Sequence, residues 1–310
     1  MARTLVIGSR GSKLALWQAE QARLRLLELN PQIDVRIEII KTTGDVKTEP
    51  LSVIGGKGVF TKELEEALLD SRIDIAVHSL KDLPTILPEG LAISAICERE
   101  DARDALVLRS NLEVDEASLA GLPANAVVGT SSQRRLAQLK ALRSDVVVND
   151  LRGNVDTRIR KLDEGQYDAV ILASAGLLRL GLKDRISARL SIDEMLPAVG
   201  QGAIAIETRA DDEFTVAATA RLDHAVTRVA CLAERSFLRA LGGGCQLPIA
   251  AHAVIEGDRI HIDGLVALPD GSEILRDSLT GSSNHAELLG AELATRLLER
   301  DRRGGPPWLP

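Results

Sequence analysis

Aromatic side chains make up 2% of this 310-residue chain, one tyrosine, two tryptophans and three phenylalanines, which leaves few flat surfaces for stacking nucleic-acid bases. A basic excess is missing too. The formal net charge is −7, so the molecule as a whole repels an anionic polymer, and any anion site must be built locally. Cysteine is scarce: Cys97, Cys231 and Cys245 are too few and too far apart for a disulfide framework, and neither a CxxC nor a Cys/His cluster of zinc spacing occurs. A reducing cytoplasm fits that usage, and no metal is expected. Long apolar runs are lacking as well. The N-terminus MARTLVIGSRGSK offers a short one before Gly8, and no later stretch reaches the length of a membrane span. Neither export nor a membrane partner is expected, and nothing demands more than a monomer.

What is present is 45% apolar content over a length suited to two or three domains. TLVIGS reads as a strand, SKLALWQAEQARLRLLEL as a helix with Leu14, Trp17, Ala22 and Leu26 near one face, and VRIEIIKTTGD as a second strand. TKELEEALLDSR predicts a helix capped by Thr61 with Glu63 and Glu65 in its first turn, and DIAVHS a further strand. This βαβαβ order predicts a parallel sheet with ligands at the carboxyl ends of its strands. After the charged segment CEREDARD the architecture repeats without repeating the sequence: strands DALVL and AVVGTSS, helix QRRLAQLKAL, strand DVVVND, helix TRIRKLDEG and strand YDAVILAS. LPAVGQGAIAIETR marks a crossing point, and the helical segment VTRVACLAERSFLRAL leads into three glycines. Antiparallel strands follow, with turns at Glu256-Gly257-Asp258 and Pro269-Asp270-Gly271, then a last helix, AELLGAELATRLLERD, and a frayed tail, RRGGPPWLP.

Three strand-to-helix turns, GSRGSK, GTSSQRR and DLRGNVDTR, combine capping residues with cations. A helix N-terminus already carries partial positive charge, so each arginine there costs roughly 0.3–1 kcal/mol. An anion should offset that. Arg10, Arg134, Arg135, Arg152 and Arg158 would then line a cleft between two α/β domains and hold a ligand rich in carboxylates; acidic neighbours such as Asp150 or Asp156 are the alternative partners. The strand DIAVHSLKDLP ends in His78, Ser79, Lys81 and Asp82, where Asp82 would serve as general acid/base or as counter-charge to a cationic intermediate, or else cap a solvated turn. GGKGVFTK lacks the spacing of a phosphate loop and reads as a mobile glycine loop carrying Lys57 and Phe60. In LGGGCQLPIA, Cys245 follows Gly242, Gly243 and Gly244, a run suited to close approach of a bound group; the alternative is that this lone cysteine is a small buried apolar residue.

Together, SRGSKLALWQA, TTGD, GGKGVFTKELE, DIAVHSLKDLP, CERED, VGTSSQRR, LRGNVDTR, LDEGQYDAVILASAGLLRLG, LPAVGQGA and GGCQLPI resemble, in order and over nearly the whole chain, the porphobilinogen deaminase (hydroxymethylbilane synthase) family of tetrapyrrole biosynthesis. The resemblance implies two periplasmic-binding-protein-like α/β domains plus a smaller C-terminal α+β domain, here residues 1–102 with 199–220, 103–198, and 221–310. It implies a transferase that joins four porphobilinogen units head to tail, releases ammonia at each step and frees hydroxymethylbilane by hydrolysis. Cys245 would hold a dipyrromethane cofactor through a thioether, and Asp82 would be the catalytic aspartate beside the pyrrole N–H groups. Lys81, Ser79, Thr130, Ser132, Arg134, Arg135 and Arg152 would contact the cofactor. Arg10, Ser12, Lys57, Phe60, Arg152, Arg158 and Gln201 would contact substrate. Two positions depart from the family pattern: Val53 stands where relatives often carry Lys, and Gly242 where they commonly carry Glu. A non-catalytic binding protein for a small polycarboxylate is the rival reading; a regulatory effector domain would need a basic helix-turn-helix, which the sequence lacks.

Overall fold

The computed structural model describes residues 3–43, 60–112, 114–243 and 247–300. Lys57 and Cys245 of the expected site, Val53 and the tail RRGGPPWLP lie outside the described residues. The chain divides into two compact units, one taking residues up to Glu100 together with Ala203–Val229, the other Asp101–Gly202 together with residues from Ala230 on.

The first unit holds β1 (Arg3–Ser9), α1 (Lys13–Leu29), β2 (Ile33–Ile39), α2 (Lys62–Leu69), β3 (Ile75–Ser79), β4 (Leu91–Ile96), β10 (Ile204–Arg209) and α6 (Glu213–Ala220). Its sheet runs β2-β1-β3-β10-β4 among the described residues. β1 lies parallel to β2 and β3, as the βαβαβ order predicts. β10 runs antiparallel to both β3 and β4, so the sheet is mixed rather than parallel. The reason is local: no crossover helix precedes β10, which enters beside the carboxyl end of β3 with Ile204 opposite Ser79. Leu5, Ile7, Ile75, Val77 and Ile206 fill the core on the α1 side with Ala19, Ala22 and Leu26, and Cys97 packs against it.

The second unit repeats that order with different strands. β5 (Asp104–Leu108), β6 (Val127–Gly129), α3 (Gln133–Leu142), β7 (Val147–Asn149), α4 (Val155–Asp163), β8 (Ala169–Ala173), α5 (Ser174–Arg179) and β9 (Ala188–Arg189) form the sheet β7-β6-β8-β5-β9 and its helices. β6 is parallel to β7 and β8, while β5 is antiparallel to β8 and β9. Each sheet is thus a parallel triplet flanked by an antiparallel strand, which comes from the returning segment in one unit and from the entering segment in the other.

The remaining sheet is antiparallel, β11 (Ile249–Glu256), β12 (Arg259–Ala267) and β13 (Ile274–Ser282), with α8 (Ala286–Arg300) packed on it. Both expected turns are present, with Gly257 at φ +63° and Gly271 at φ +73°. α7 (Ala225–Ala240) contributes the fully buried Cys231 and Phe237. α8 approaches it closely at Gly290, where a Cβ would stand 2.1 Å from the Ala233 carbonyl oxygen. Among the described residues no helix is long and apolar enough to cross a membrane.

Candidate active site

The parallel register of β1 and β3, with Ile7 opposite Ile75, brings the turns that follow them to one edge of the first sheet. β1 leads into Arg10 and into Ser12, whose hydroxyl caps α1 by accepting from the Ala15 amide at 3.3 Å. β3 ends at Ser79 and passes into a single 3-10 turn, Leu80–Asp82. Leu80 is buried, and its amide donates to the Ala203 carbonyl at 3.0 Å, so the turn is anchored beneath while Asp82 stays exposed. The Arg10 guanidinium lies over the Phe60 ring, 4.2 Å from its centroid. Gln18, buried on α1 where periodicity predicts apolar residues, donates from Nε2 to the Ser79 hydroxyl at 3.0 Å. Six expected residues, Arg10, Ser12, Phe60, Ser79, Lys81 and Asp82, therefore belong to the turns and helix entry of one unit.

His78 does not join them. Strand alternation turns it into the protein, where Nε2 sits 2.9 Å from Glu207 Oε2, both side chains buried. Glu65 of α2 is buried too, and Thr61 occupies the N-cap position with its hydroxyl making no capping bond. Burial raises the Glu65 carboxyl above its ordinary range, against the opposing Thr61 hydroxyl, and the Glu207 carboxylate raises it further while His78 opposes. A carboxyl with its folded pKa raised stabilises the fold fully below its unfolded value of about 4.3 and loses that contribution as pH rises through the folded value. Glu65→Gln, neutral at every pH, should therefore melt progressively higher than the parent as pH goes from 4 to 8. Calorimetry across that range checks it; parallel curves for the two proteins would overturn it.

In the second unit the parallel pairing of β6 with β7 and β8 sets another row of turns along one edge. Thr130, buried, accepts from the Ser132 amide at 3.2 Å, and Ser132 caps α3 by accepting from the Arg135 amide at 3.5 Å. Ser131 donates to the Leu151 carbonyl at 2.6 Å, tying this turn to the one after β7. There Arg152 Nε meets Asp150 Oδ2 at 2.5 Å, one of the acidic partners that spacing suggests, and Arg158 Nε donates to the Gly153 carbonyl at 2.8 Å. The capping Asn154 makes no side-chain capping bond.

Arg134 and Arg135 point inward rather than to an open surface. Each is about one-twentieth exposed, and their partner is neither Asp150 nor Asp156 but Asp104 at the start of β5. Because β5 runs antiparallel to β8, with Asp104 opposite Ala173, its first residue arrives at the edge where β6 hands over to α3. Gln201 is fully buried and donates to the same carboxylate at 2.9 Å and to the Ala102 carbonyl at 2.7 Å. Asp104 is held far below the usual carboxylate range, since the Arg134 and Arg135 guanidiniums outweigh the burial that opposes them. Burial pulls Arg134 below its ordinary value against the Asp104 charge. Sequence reading missed Asp104 and the buried Arg179, which donates to the Gly202 carbonyl at 2.6 Å. The available signal for Asp104 was an acid opening the apolar strand DALVL.

Two guanidiniums face one carboxylate here, and Arg134 Nε is buried with no hydrogen-bond partner among the described residues. That donor set fits a group bearing carboxylates. Two of the three glycines before Cys245 answer to the local backbone and packing. Gly242 follows α7 at φ +65°, its amide donating to the Arg239 carbonyl, as a helix-ending glycine does. At Gly243 a Cβ would meet Ile249 Cδ1 at 2.5 Å. The departure at Gly242 thus suits a left-handed backbone that glutamate adopts at a cost.

Among solved structures, an ancestral arginine-binding protein bound to arginine shares 15% identity and a TM-score of 0.40, covering 72% of this chain and 91% of that one. The periplasmic VFT2 domain of Bordetella pertussis BvgS shares 18% identity and a TM-score of 0.41, covering 71% and 86%. Sequence likeness is far stronger. The porphobilinogen deaminase of Chromobacterium violaceum is 50% identical over 300 residues, 96% of each chain. Residues 5–217 match the family described as porphobilinogen deaminase, dipyromethane cofactor binding domain, and residues 228–299 its C-terminal domain. With near-complete coverage in both chains and both family segments in order, this chain belongs to the porphobilinogen deaminase family.

Proposed function

We propose that Asp82 and Cys245 divide the chemistry of this porphobilinogen deaminase, with arginines taking carboxylates. The enzyme condenses four porphobilinogen molecules, releasing one ammonia per addition, and water then frees hydroxymethylbilane. Held by a thioether to Cys245, the dipyrromethane supplies the nucleophilic pyrrole carbon from which the product grows. Asp82 accepts the substrate's pyrrole N–H and offsets the positive charge that spreads over the ring as the C–N bond breaks and its electron pair departs with ammonia. Lys81 and Ser79, the latter fixed by Gln18, orient the reacting groups. Arg10, Ser12 and Arg158 take the acetate and propionate of the incoming unit with Phe60 as the apolar wall, and Lys57 joins them on sequence grounds. Thr130, Ser132, Arg134, Arg135 and Arg152 take carboxylates of the cofactor. Gln201 acts through Asp104.

The observation that carries this assignment is the exposed carboxylate of Asp82 on a buried anchor, at the sheet edge where Arg10 stacks on Phe60. A division into 1–102 with 199–220, 103–198 and 221–310 belongs to the same reading, supported by the separate antiparallel sheet and by the break between the two family segments at 217 and 228. So does a monomer in the cytoplasm, in keeping with three widely spaced cysteines. The test is intact-protein mass spectrometry after substoichiometric porphobilinogen, followed by peptide mapping. A ladder of equal increments on the peptide containing Cys245 is expected; turnover with no adduct there would overturn the reading, and neither turnover nor adduct would mark a passive binder.

A further inference from the structure

We propose that Asp104 is a positioning residue for the family reaction, fixing the Arg134 and Arg135 forks so that their unmatched positive charge meets carboxylates of the cofactor and growing product. This rests on the reading that those arginines bind carboxylates. Three side chains distant in sequence converge on the one acid. Oδ2 accepts from Arg134 Nη1 at 2.7 Å, and Oδ1 from Arg135 Nη2 at 2.7 Å, Arg135 Nε at 3.1 Å and Gln201 Nε2 at 2.9 Å. Two further arginine bonds go to backbone, Arg134 Nη1 to the Leu196 carbonyl at 2.7 Å and Arg135 Nη1 to that of Ile171 at 2.9 Å.

Buried charge left without a partner is costly. Here one carboxylate faces two guanidiniums, the N-terminus of α3 adds partial positive charge with no acid in its first turn, and Arg134 Nε lacks an acceptor among the described residues. An incoming carboxylate completes the set. Asp104 itself is fully buried, with both oxygens taken by the two arginines and Gln201, so it acts by holding fork geometry, which decides bidentate recognition.

The test compares full-length Asp104→Glu and Arg135→Ala with the parent for melting temperature, dipyrromethane content by intact mass, and kcat and KM. Asp104→Glu keeps the charge and shifts the carboxylate by one methylene. It should melt close to the parent, yet carry less cofactor and show KM for porphobilinogen raised by up to about 10²-fold, with kcat of the loaded fraction little changed. A folded Asp104→Glu with parental loading and KM, beside an impaired Arg135→Ala, would overturn the role of Asp104 alone. Parental behaviour of Arg135→Ala would overturn the arginine reading and this proposal with it. Should Asp104→Glu not fold, Gln201→Leu leaves both arginines and the acid in place and removes one brace: a raised KM supports the proposal, and an unchanged KM overturns it.

Discussion

Cys245→Ala protein is expected to fold and melt like the parent, to carry no covalent dipyrromethane, and to turn over no porphobilinogen. Thioether formation needs a soft nucleophile to capture the electrophile left when porphobilinogen loses ammonia, and a thiolate supplies it where a methyl group supplies nothing. Cys231 is fully buried in α7, and Cys97 packs against the core of the first sheet. Two positions before Cys245, Gly243 packs closely against Ile249 and Leu238. Cys245→Ser should behave nearly as badly, because a hydroxyl without an activating base is a poor nucleophile near neutral pH. Intact mass before and after porphobilinogen, together with ammonia release, checks all of this. A Cys245→Ala protein that retained the adduct mass or released ammonia at the parental rate would remove the residue from the mechanism.

Local signals made most of the fold readable. The helix over Lys13–Leu29, the strand before Ser79 and the two glycine turns of the antiparallel sheet each announce themselves within a few residues. What stayed hidden depends on partners far along the chain. The antiparallel placement of β10 and β5 is decided by which edge of a sheet a returning strand meets, and no window of sequence records that. Asp104 lies 30 and 31 positions from its two arginines and 97 from Gln201, and His78 lies 129 from Glu207. The cost of cations at a helix start does correctly demand an anion at Arg134 and Arg135. The first anion to answer is the protein's own, which spacing alone could not name. The exposed place of Asp82 was legible because it follows directly from a position after a strand, whereas buried Gln18 reads as an interruption of an apolar face until Ser79 is seen beside it.

Asp82→Asn should keep its cofactor and its stability while chain growth slows by about 10²–10³-fold, the usual loss when one preorganised electrostatic contact to a transition state is removed. Folding is spared because the side chain is exposed and the turn is held from below, by Leu80 in the core and by the Leu80 amide on Ala203. A surface change of this kind usually alters stability by less than about 0.5 kcal/mol. The amide preserves shape and keeps an oxygen able to accept a pyrrole N–H, so substrate binding and KM should change little. What it lacks is negative charge, and that matters only once the ring becomes cationic as ammonia departs. The loss should therefore fall on kcat, the pattern of an interaction stronger in the transition state than in the ground state. Asp82→Glu restores charge on a longer arm and should recover part of the rate. Equal losses in the Asn and Glu variants would point to geometry instead of charge, and a near-parental kcat in Asp82→Asn would free the aspartate from the chemistry altogether. Single-turnover measurement on cofactor-loaded protein separates these outcomes, because it reads the bond-making steps apart from product release.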